Sequence, residues 1–388
     1  MNEKYSRLRE FRAGMGPAIK ELKFSLKRMR KSPLSVVGIA IILFFALIAI
    51  FADFIAPPVT RDPYMMWNDG YGQIPFPPGT PVLDPIARRA GWTTHWLGTA
   101  EGQYDIFYGI VWGTRTAFRI GVVVEAISVI LGIAIGSISG YYGGVIDELM
   151  MRFTDIVLAF PGLILAMALV LALPRIWPVD IGFILVLLVV LVAPGIIGRF
   201  FKISSRRILL ATVVGLVAFI GLYFYVYAAP IFSISMEISQ LDKVLVALAI
   251  IGWPGYCRVI RGETLRVKQE AYVEAAKAVG CSDTRIIVRH LLPNSIYPVI
   301  IMASLGIGGT VLTAAALSFL GIGAPQGYAD WGQMISYARN WIWAGVQNPW
   351  AYWYTFTIPG IAIFLFVLGW NLLGDALRDI LDPTLRRR

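Results

Sequence analysis

Charged residues are scarce in this chain of 388 residues: they make up 15% of it, whereas 57% of its residues are hydrophobic. Soluble domains carry about 25% charged residues, so this scarcity excludes an ordinary soluble domain. Runs of roughly 20 apolar residues recur along the chain, and runs of that length are typical of membrane-spanning helices. Barrel strands would instead show short alternating segments. The sequence therefore predicts an all-α polytopic membrane protein.

Cysteine and histidine are also rare, and the chain has only Cys257, Cys281, His95 and His290. These residues do not have the spacing of metal ligands, so we predict no metal site. Both cysteines fall in or near a stretch predicted to lie inside the cell, which argues against a disulfide. The sequence contains no G-x-x-x-x-G-K-[ST] phosphate loop and no nucleophile–base set. We therefore expect this chain not to be an enzyme, and to bind neither ATP nor another cofactor.

The formal net charge of +10 is concentrated beside the apolar runs. Residues 1–33 hold ten Lys or Arg against three Glu, and the chain ends in three arginines. Basic clusters flanking spans mark cytoplasmic segments, so this distribution argues against nucleic-acid binding and predicts that both termini are cytoplasmic. Residues 16–31 have the pattern of a basic amphipathic helix lying on the lipid of the inner membrane surface.

Apolar runs and loop charges together predict eight spans in a plasma or inner membrane. The spans are predicted at about 34–56, 117–139, 156–173, 182–200, 209–232, 242–257, 294–320 and 354–374. The predicted organisation is a cytoplasmic segment (1–33), a first transmembrane helix (34–56), an external segment (57–115), a permease domain (116–374) containing a cytoplasmic loop (258–292), and a cytoplasmic tail (375–388).

The cytoplasmic loop has the composition of a surface helix although apolar spans flank it. Good helix formers fill Lys268 to Gly280, where Gly280 is a candidate C-terminal stop. Ser282 and Asp283 are candidate caps for a second helix, and Pro293 suits the first turn of the next span. Two interpretations are open at this point: a solvated connection between two spans, or a docking element for another cytoplasmic protein.

One set of loop residues carries a resemblance to a known family. Glu274-Ala275-Ala276, then Gly280 after three residues, then Leu292-Pro293, resembles the EAA loop of bacterial and archaeal ABC importer permeases. Arg289 to Asn294 resembles the RHxLPN version found in C-type subunits of dipeptide and oligopeptide permeases. The stretch HWLGTAEGQYDIFYGIVWGTR (95–115) resembles an external segment of the same subunits, although Ala100 and Tyr104 depart from its usual pattern.

This resemblance implies the transmembrane domain of a type I ABC importer, with a six-span core and an inserted pair of spans within about 175–241. It implies that residues 258–292 form a coupling loop that docks on one of two cytoplasmic ATP-binding subunits, which would hold ATP and Mg. A second permease subunit and an external solute-binding protein are the other implied partners. Di- or oligopeptides are the expected solutes, with oligosaccharides, nickel or glutathione as alternatives. A secondary transporter is a more distant alternative.

Two features inside the spans have open interpretations. Glu125 lies in the middle of the second predicted span, and an intramembrane acid is a functional-site hypothesis by default. The alternative is an acid that is hydrogen-bonded to a neighbouring helix for structural reasons. Pro161-Gly162 and Pro254-Gly255 could kink their spans, either for packing or as hinges. The sequence indicates no substrate-binding residues.

Overall fold

The structure, a computed structural model, describes residues 32–70, 72–173, 176–180, 233–342 and 350–381. The chain divides into two compact units, one formed by Met1–Leu171 with Gln240–Arg388 and the other by Ala172–Ser239. The described helices are α1 (Pro33–Ile50), α2 (Ala52–Ile55), α3 (Pro85–Arg89), α4 (Ile106–Tyr142), α5 (Gly144–Ala159), α6 (Gly162–Ala172), α7 (Gln240–Val267), α8 (Ala271–Ala278), α9 (Asp283–Ile286), α10 (Leu292–Ser295), α11 (Tyr297–Phe319), α12 (Trp331–Ala338) and α13 (Trp353–Leu381).

Within the described ranges, five helices are long and apolar enough to cross a membrane, namely α1, α4, α7, α11 and α13. A sixth crossing is possible if the bent pair α5 and α6 counts as one span. Two predicted spans, 182–200 and 209–232, lie outside the described residues. The structure therefore supports a helical protein with five or six candidate spans, and the count of eight stays a prediction.

The third predicted span, 156–173, is not a continuous helix. The chain bends by 93° between α5 and α6. Phe160 at the break has extended backbone angles (φ −90°, ψ 141°), as expected for a residue that precedes a proline. Pro161 therefore interrupts the helix, which agrees with the kink considered for Pro161-Gly162. Pro254, in contrast, lies inside the continuous helix α7.

Helix α4 is much longer than the span predicted from hydropathy. It begins at Ile106 rather than at 117, because the Asp105 side chain accepts a hydrogen bond from the Tyr108 N–H (2.7 Å) and caps its N-terminus. The part of α4 before 117 is rich in aromatic residues and glycine, so its composition resembles that of the polar segment before it.

Three glycines spaced four residues apart allow α4 to approach α7 closely. A Cβ atom added to Gly136 would lie 2.1 Å from Ile260 Cγ2 and 2.4 Å from the Cys257 carbonyl oxygen. Cβ atoms added to Gly132 and Gly140 would also lie too close to atoms of α7, at 2.4 and 2.9 Å respectively. Small residues at four-residue spacing are a recurrent device for close helix contact in membranes. The backbones of α4 and α7 therefore touch where side chains are absent.

The segment between α2 and α4 forms packed structure of its own. Strands β1 (Thr80–Pro81) and β2 (Thr94–His95) pair antiparallel. Trp67 and Trp92 are buried, and their ring centroids lie 5.4 Å apart. Packing by the aromatic residues of this segment agrees with its composition, because large rings bury much apolar area in a small structure.

The described part of the smaller unit is a pair of antiparallel strands. Strand β3 (Ile176–Asp180) pairs with β4 (Ser233–Glu237), with Ile176 opposite Glu237 and Asp180 opposite Ser233. The two ends of the predicted insertion, 175–241, are thus hydrogen-bonded to each other. These short strands are a local addition to a protein whose described residues are mainly α-helical, as predicted.

Candidate functional site

The helix of the predicted coupling loop is α8, which packs one face on a small core. Val273 and Ala276 are buried there, together with Tyr141 at the end of α4 and Val267 at the end of α7. The helix begins at Ala271 rather than at the predicted Lys268. Because residues of α4 and α7 both contribute to this core, α8 packs against the ends of these two helices.

The opposite face of α8 is open. Glu274 and Ala275 are exposed, Tyr272 is 41% exposed, and Val279 at the end of the helix is 79% exposed. The predicted loop residues therefore lie on different sides of α8: Ala276 faces the core, whereas Glu274 and Ala275 are exposed.

Gly280 ends α8 as predicted. It has φ +78°, which is the left-handed region that favours glycine. Its N–H donates to the Lys277 carbonyl (2.9 Å), and the Cys281 N–H donates to the Ala276 carbonyl (3.1 Å). This pair of bonds is the Schellman motif, so the sequence of the loop fixes where the helix stops.

The segment that follows α8 was predicted to form a single second helix, but the structure divides it into shorter helical turns. Ser282 occupies the N-cap position of α9, but its side chain makes no capping hydrogen bond. Asp283 instead accepts a hydrogen bond from the Tyr141 hydroxyl (2.6 Å). A π-helical turn at Ile287–Leu291 then joins α9 to α10, where Leu292 is half-buried and Pro293 is exposed in the first turn.

Tyr141 connects the loop to the end of α4 through several contacts. Besides its bond to Asp283, its carbonyl accepts a hydrogen bond from Lys268 Nζ, and Lys277 Nζ lies 5.7 Å from the centre of its ring. These contacts join both sides of α8 to one residue of α4. A displacement of α8 would therefore be transmitted to α4 as well as to α7.

Glu125, the predicted intramembrane acid, is 5% exposed and contacts two other helices. Its Oε1 accepts a hydrogen bond from the Tyr256 hydroxyl of α7, and its Oε2 accepts one from Thr310 Oγ1 of α11 (3.0 Å). It borders a cavity of about 520 Å³ between α4, α6, α7 and α11. Sequence reasoning found the acid but not its partners, which are 131 and 185 residues away.

A second buried polar cluster, which the sequence did not predict, lies before α4. His95 Nδ1 is 2.7 Å from Asp105 Oδ2, and His95 Nε2 is 3.1 Å from Asp69 Oδ2. All three side chains are fully buried. His95 and Asp105 belong to the stretch 95–115 that carried the resemblance, so a polar pair at that spacing was visible, but nothing local indicated Asp69. The cluster therefore connects the packed segment to Asp105, the N-cap residue of α4.

Two carboxyl groups favour the charged form of His95. Burial lowers the pKa of His95, but hydrogen bonds to Asp105 and Asp69 outweigh burial and raise this pKa above its ordinary value of 6.5. Burial also acts to raise the pKa of Asp69, but bonds from the Leu83 N–H and from His95 lower it overall. Burial raises the pKa of Asp105, although its bonds to His95 and to the Tyr108 N–H oppose this effect. The charged pair of the cluster is therefore His95 with Asp69, whose pKa values shift in the directions that favour their charged forms.

We expect the stability of the protein to fall as the pH rises through the folded-state pKa of His95. The charged ring stabilises the fold fully below pH 6.5, and this contribution is lost when the ring deprotonates at higher pH. Tryptophan fluorescence melts of the purified protein between about pH 6 and about pH 9 would measure this loss. His95→Gln should unfold at a lower temperature and lose this pH dependence, whereas His290→Gln should keep it. An unchanged pH dependence in His95→Gln would contradict the assignment.

Comparison with known proteins agrees with this architecture. Residues 132–387 match the family model described as "Binding-protein-dependent transport system inner membrane component", and residues 23–71 match "N-terminal TM domain of oligopeptide transport permease C". The chain belongs to the family of binding-protein-dependent transport system inner membrane components. The resemblance seen in the sequence is thereby confirmed.

Individual relatives extend over most of the chain. The dipeptide transport system permease protein DppC of Alkalihalophilus pseudofirmus is 33% identical over 369 residues, covering 95% of this chain and 92% of the relative. The probable D,D-dipeptide transport system permease protein DdpC of Escherichia coli K12 is 32% identical over 355 residues (92% and 89%). The glutathione transport system permease protein GsiD of Pectobacterium atrosepticum is 33% identical over 294 residues (76% and 74%).

Family membership defines the general role of the chain. It is a multi-pass membrane permease subunit of a binding-protein-dependent ABC importer, and this role implies a partner ATPase and a binding protein. Among the residues that the structure describes, no group of three or more His, Cys, Asp or Glu is arranged so that it could hold a metal ion.

Proposed function

We propose that this chain is a permease subunit that carries di- or oligopeptides across the membrane. The names of its relatives support this, since DppC and DdpC are dipeptide transport permeases and GsiD is a glutathione transport permease. Glutathione is therefore the alternative solute with support from a relative. Oligosaccharides and nickel, considered from the sequence, are not named for these relatives.

The proposed assembly pairs this chain with a second permease subunit, two ATP-binding subunits and an external solute-binding protein. ATP and Mg bind, and ATP is hydrolysed, on the ATP-binding subunits. In this arrangement the chain crosses the membrane eight times, with the inserted pair at 182–200 and 209–232. Residues 1–33, the coupling loop 258–292 and the tail 375–388 are then all cytoplasmic.

The two-faced geometry of α8 is the observation that carries the docking role. Val273 and Ala276 fix the helix to the bundle, while Tyr272, Ala275 and Val279 present an outward face. A solvated connection would not need exposed apolar side chains, and such a patch is typical of a surface that meets another protein. Glu274 is also exposed, on another side of α8, and carries a negative charge.

The proposed mechanism is rigid-body switching between two packed states. Closure of the two ATP-binding subunits moves α8, which is fixed at both ends. The contacts of Tyr141 and the core around Val273 pass this displacement to α4 and α7. These long helices then move together and alternate between inward and outward openings.

Photo-cross-linking would test docking in the assembled importer. We expect p-benzoylphenylalanine placed at Tyr272 to cross-link to an ATP-binding subunit, because this side chain already faces outward and is aromatic. The matched control is Trp96, an aromatic residue that is 61% exposed in the segment before α4. The same photoreactive residue at position 96 should give no product with the ATP-binding subunits. Absence of a Tyr272 product in every nucleotide state would contradict the docking role.

A further inference from the structure

We propose that Glu125 and the cavity beside it bind the ammonium group of the solute during its passage. This inference rests on the proposed peptide-import function, because a peptide with a free amino terminus carries such a group. Nothing in the general role of a permease subunit requires an acid at this position. The argument depends on the shape of the cavity, on the bonds of the carboxylate and on the lack of an ion pair to Glu125 among the described residues.

Glycine keeps the space beside the carboxylate open. The cavity of about 520 Å³ is bordered by backbone at Gly162, Gly252, Gly306 and Gly309, and most of its other lining is aliphatic. A Cβ atom at Gly306 would lie 2.2 Å from Glu125 Oε1, so any larger residue there would displace the acid. A largely apolar cavity with a few convergent polar groups is the usual form of a small-molecule site.

The carboxylate of Glu125 has bonding capacity left over. A carboxylate can accept about four hydrogen bonds, and here neutral hydroxyls of Tyr256 and Thr310 supply two. Among the described residues, no lysine, arginine or histidine forms an ion pair with Glu125. An ammonium group brings three donors and a positive charge, and it would complete this acceptor set.

Charge decides between an ammonium ligand and a purely structural acid. An acid inside a membrane domain is costly unless it is neutral or paired with a cation, so such residues generally serve a pathway or a partner. If Glu125 only joined α4 to α7 and α11, glutamine would serve equally well. Its carbonyl could accept the Tyr256 bond, and its amide could donate to Thr310. Only binding of a cation requires the negative charge itself.

Transport of radiolabelled dialanine by the complete importer would test the site. The importer, with its ATP-binding subunits and binding protein, is reconstituted in vesicles, and dialanine uptake and ATP hydrolysis are measured together. We expect Glu125→Gln to reduce dialanine transported per ATP by roughly tenfold, since charge-assisted hydrogen bonds are about twice as strong as neutral ones. ATP hydrolysis stimulated by the loaded binding protein should stay within about twofold of wild type, because the helix packing is kept.

Two further variants separate the charge from a structural effect. Glu125→Asp keeps the charge and should recover part of the transport that glutamine loses. Thr114→Val removes a hydroxyl that bonds only to the Ile110 carbonyl within α4, and it should transport like wild type. Dialanine has a single amino group, so a positive result identifies the peptide α-ammonium rather than a lysine side chain.

Three results would overturn the site. The first is wild-type transport per ATP in Glu125→Gln. The second is a parallel loss of uptake and ATP hydrolysis in both Glu125→Gln and Glu125→Asp, which would assign Glu125 to packing. The third is a wild-type importer that hydrolyses ATP but takes up no dialanine, and this result would also refute peptide import. The first two results leave the proposed peptide function intact.

Discussion

Replacing Gly136 by leucine is expected to prevent the helix bundle from assembling. A Cβ atom alone would meet Ile260 and the backbone of Cys257 at 2.1 and 2.4 Å, so α4 and α7 would have to separate along their contact. Overpacking in a core typically costs about 1–3 kcal/mol, and a clash with backbone belongs at the upper end or beyond. Because proteins are stable by only about 5–15 kcal/mol, recovery of monodisperse protein from detergent should fall by roughly an order of magnitude.

Gly262 provides the matched control for this variant. It lies in the partner helix α7, at an exposed position between Arg261 and Glu263, and a Cβ atom there would have no heavy atom within 4 Å. Gly262→Leu should therefore be recovered from size-exclusion chromatography in nearly the same yield as wild type. Equal recovery of Gly136→Leu and Gly262→Leu would show that the close contact of α4 with α7 does not hold the bundle together.

Replacing Gly280 by tryptophan is expected to uncouple the permease from the ATP-binding subunits. The glycine has φ +78°, where an L-residue costs roughly 1–2 kcal/mol, and the new ring would project from the tip of α8. We expect the protein to fold, since nothing lies within 4 Å of a Cβ atom at this position. The measurement is the amount of ATP-binding subunit that co-purifies with the permease, which should fall to a small fraction of wild type.

A Gly321→Trp variant would distinguish an effect of backbone strain from a loss of docking. It has φ +80° and equally open surroundings, but it follows α11 at the end away from the coupling loop. Gly321→Trp carries the same strain and the same ring, and it should retain the ATP-binding subunits. If both variants lose them, strain rather than docking explains the effect. If both retain them, α8 is not the contact.

Local signals in the sequence predicted the coupling loop well. Good helix formers followed by Gly280 located α8 and its end, because a Schellman motif depends only on neighbouring residues. The start was three residues early, since Lys268 to Glu270 have helix-forming side chains but make turns instead. The π-helical turn before α10 left no sequence signal that we can identify.

Contacts between distant residues were beyond the sequence. Glu125 was recognised because an acid in an apolar run is conspicuous, but its partners Tyr256 and Thr310 lie on other helices, and no periodicity connects them. The same holds for Asp69, which meets His95 across 26 residues of irregular chain. Such pairs depend on how the elements pack, and a single sequence does not record that packing.

One packing signal was present in the sequence and was missed. Gly132, Gly136 and Gly140 repeat every four residues in an apolar helix, and this spacing alone predicts a close helix contact. What the spacing does not show is which helix makes the contact. The structure identifies α7, which follows in the chain more than one hundred residues later.

The antiparallel pair of β3 and β4 fixes the distance between the two ends of the inserted segment. With Ile176 opposite Glu237, the two ends of the inserted segment lie side by side as paired strands. The entropic free-energy cost of closing a loop between two fixed strands rises by only about 0.6 kcal/mol when the loop doubles in length. Residues between β3 and β4 can therefore be inserted, deleted or exchanged, in evolution or by design, while the distance between the two strands stays constant.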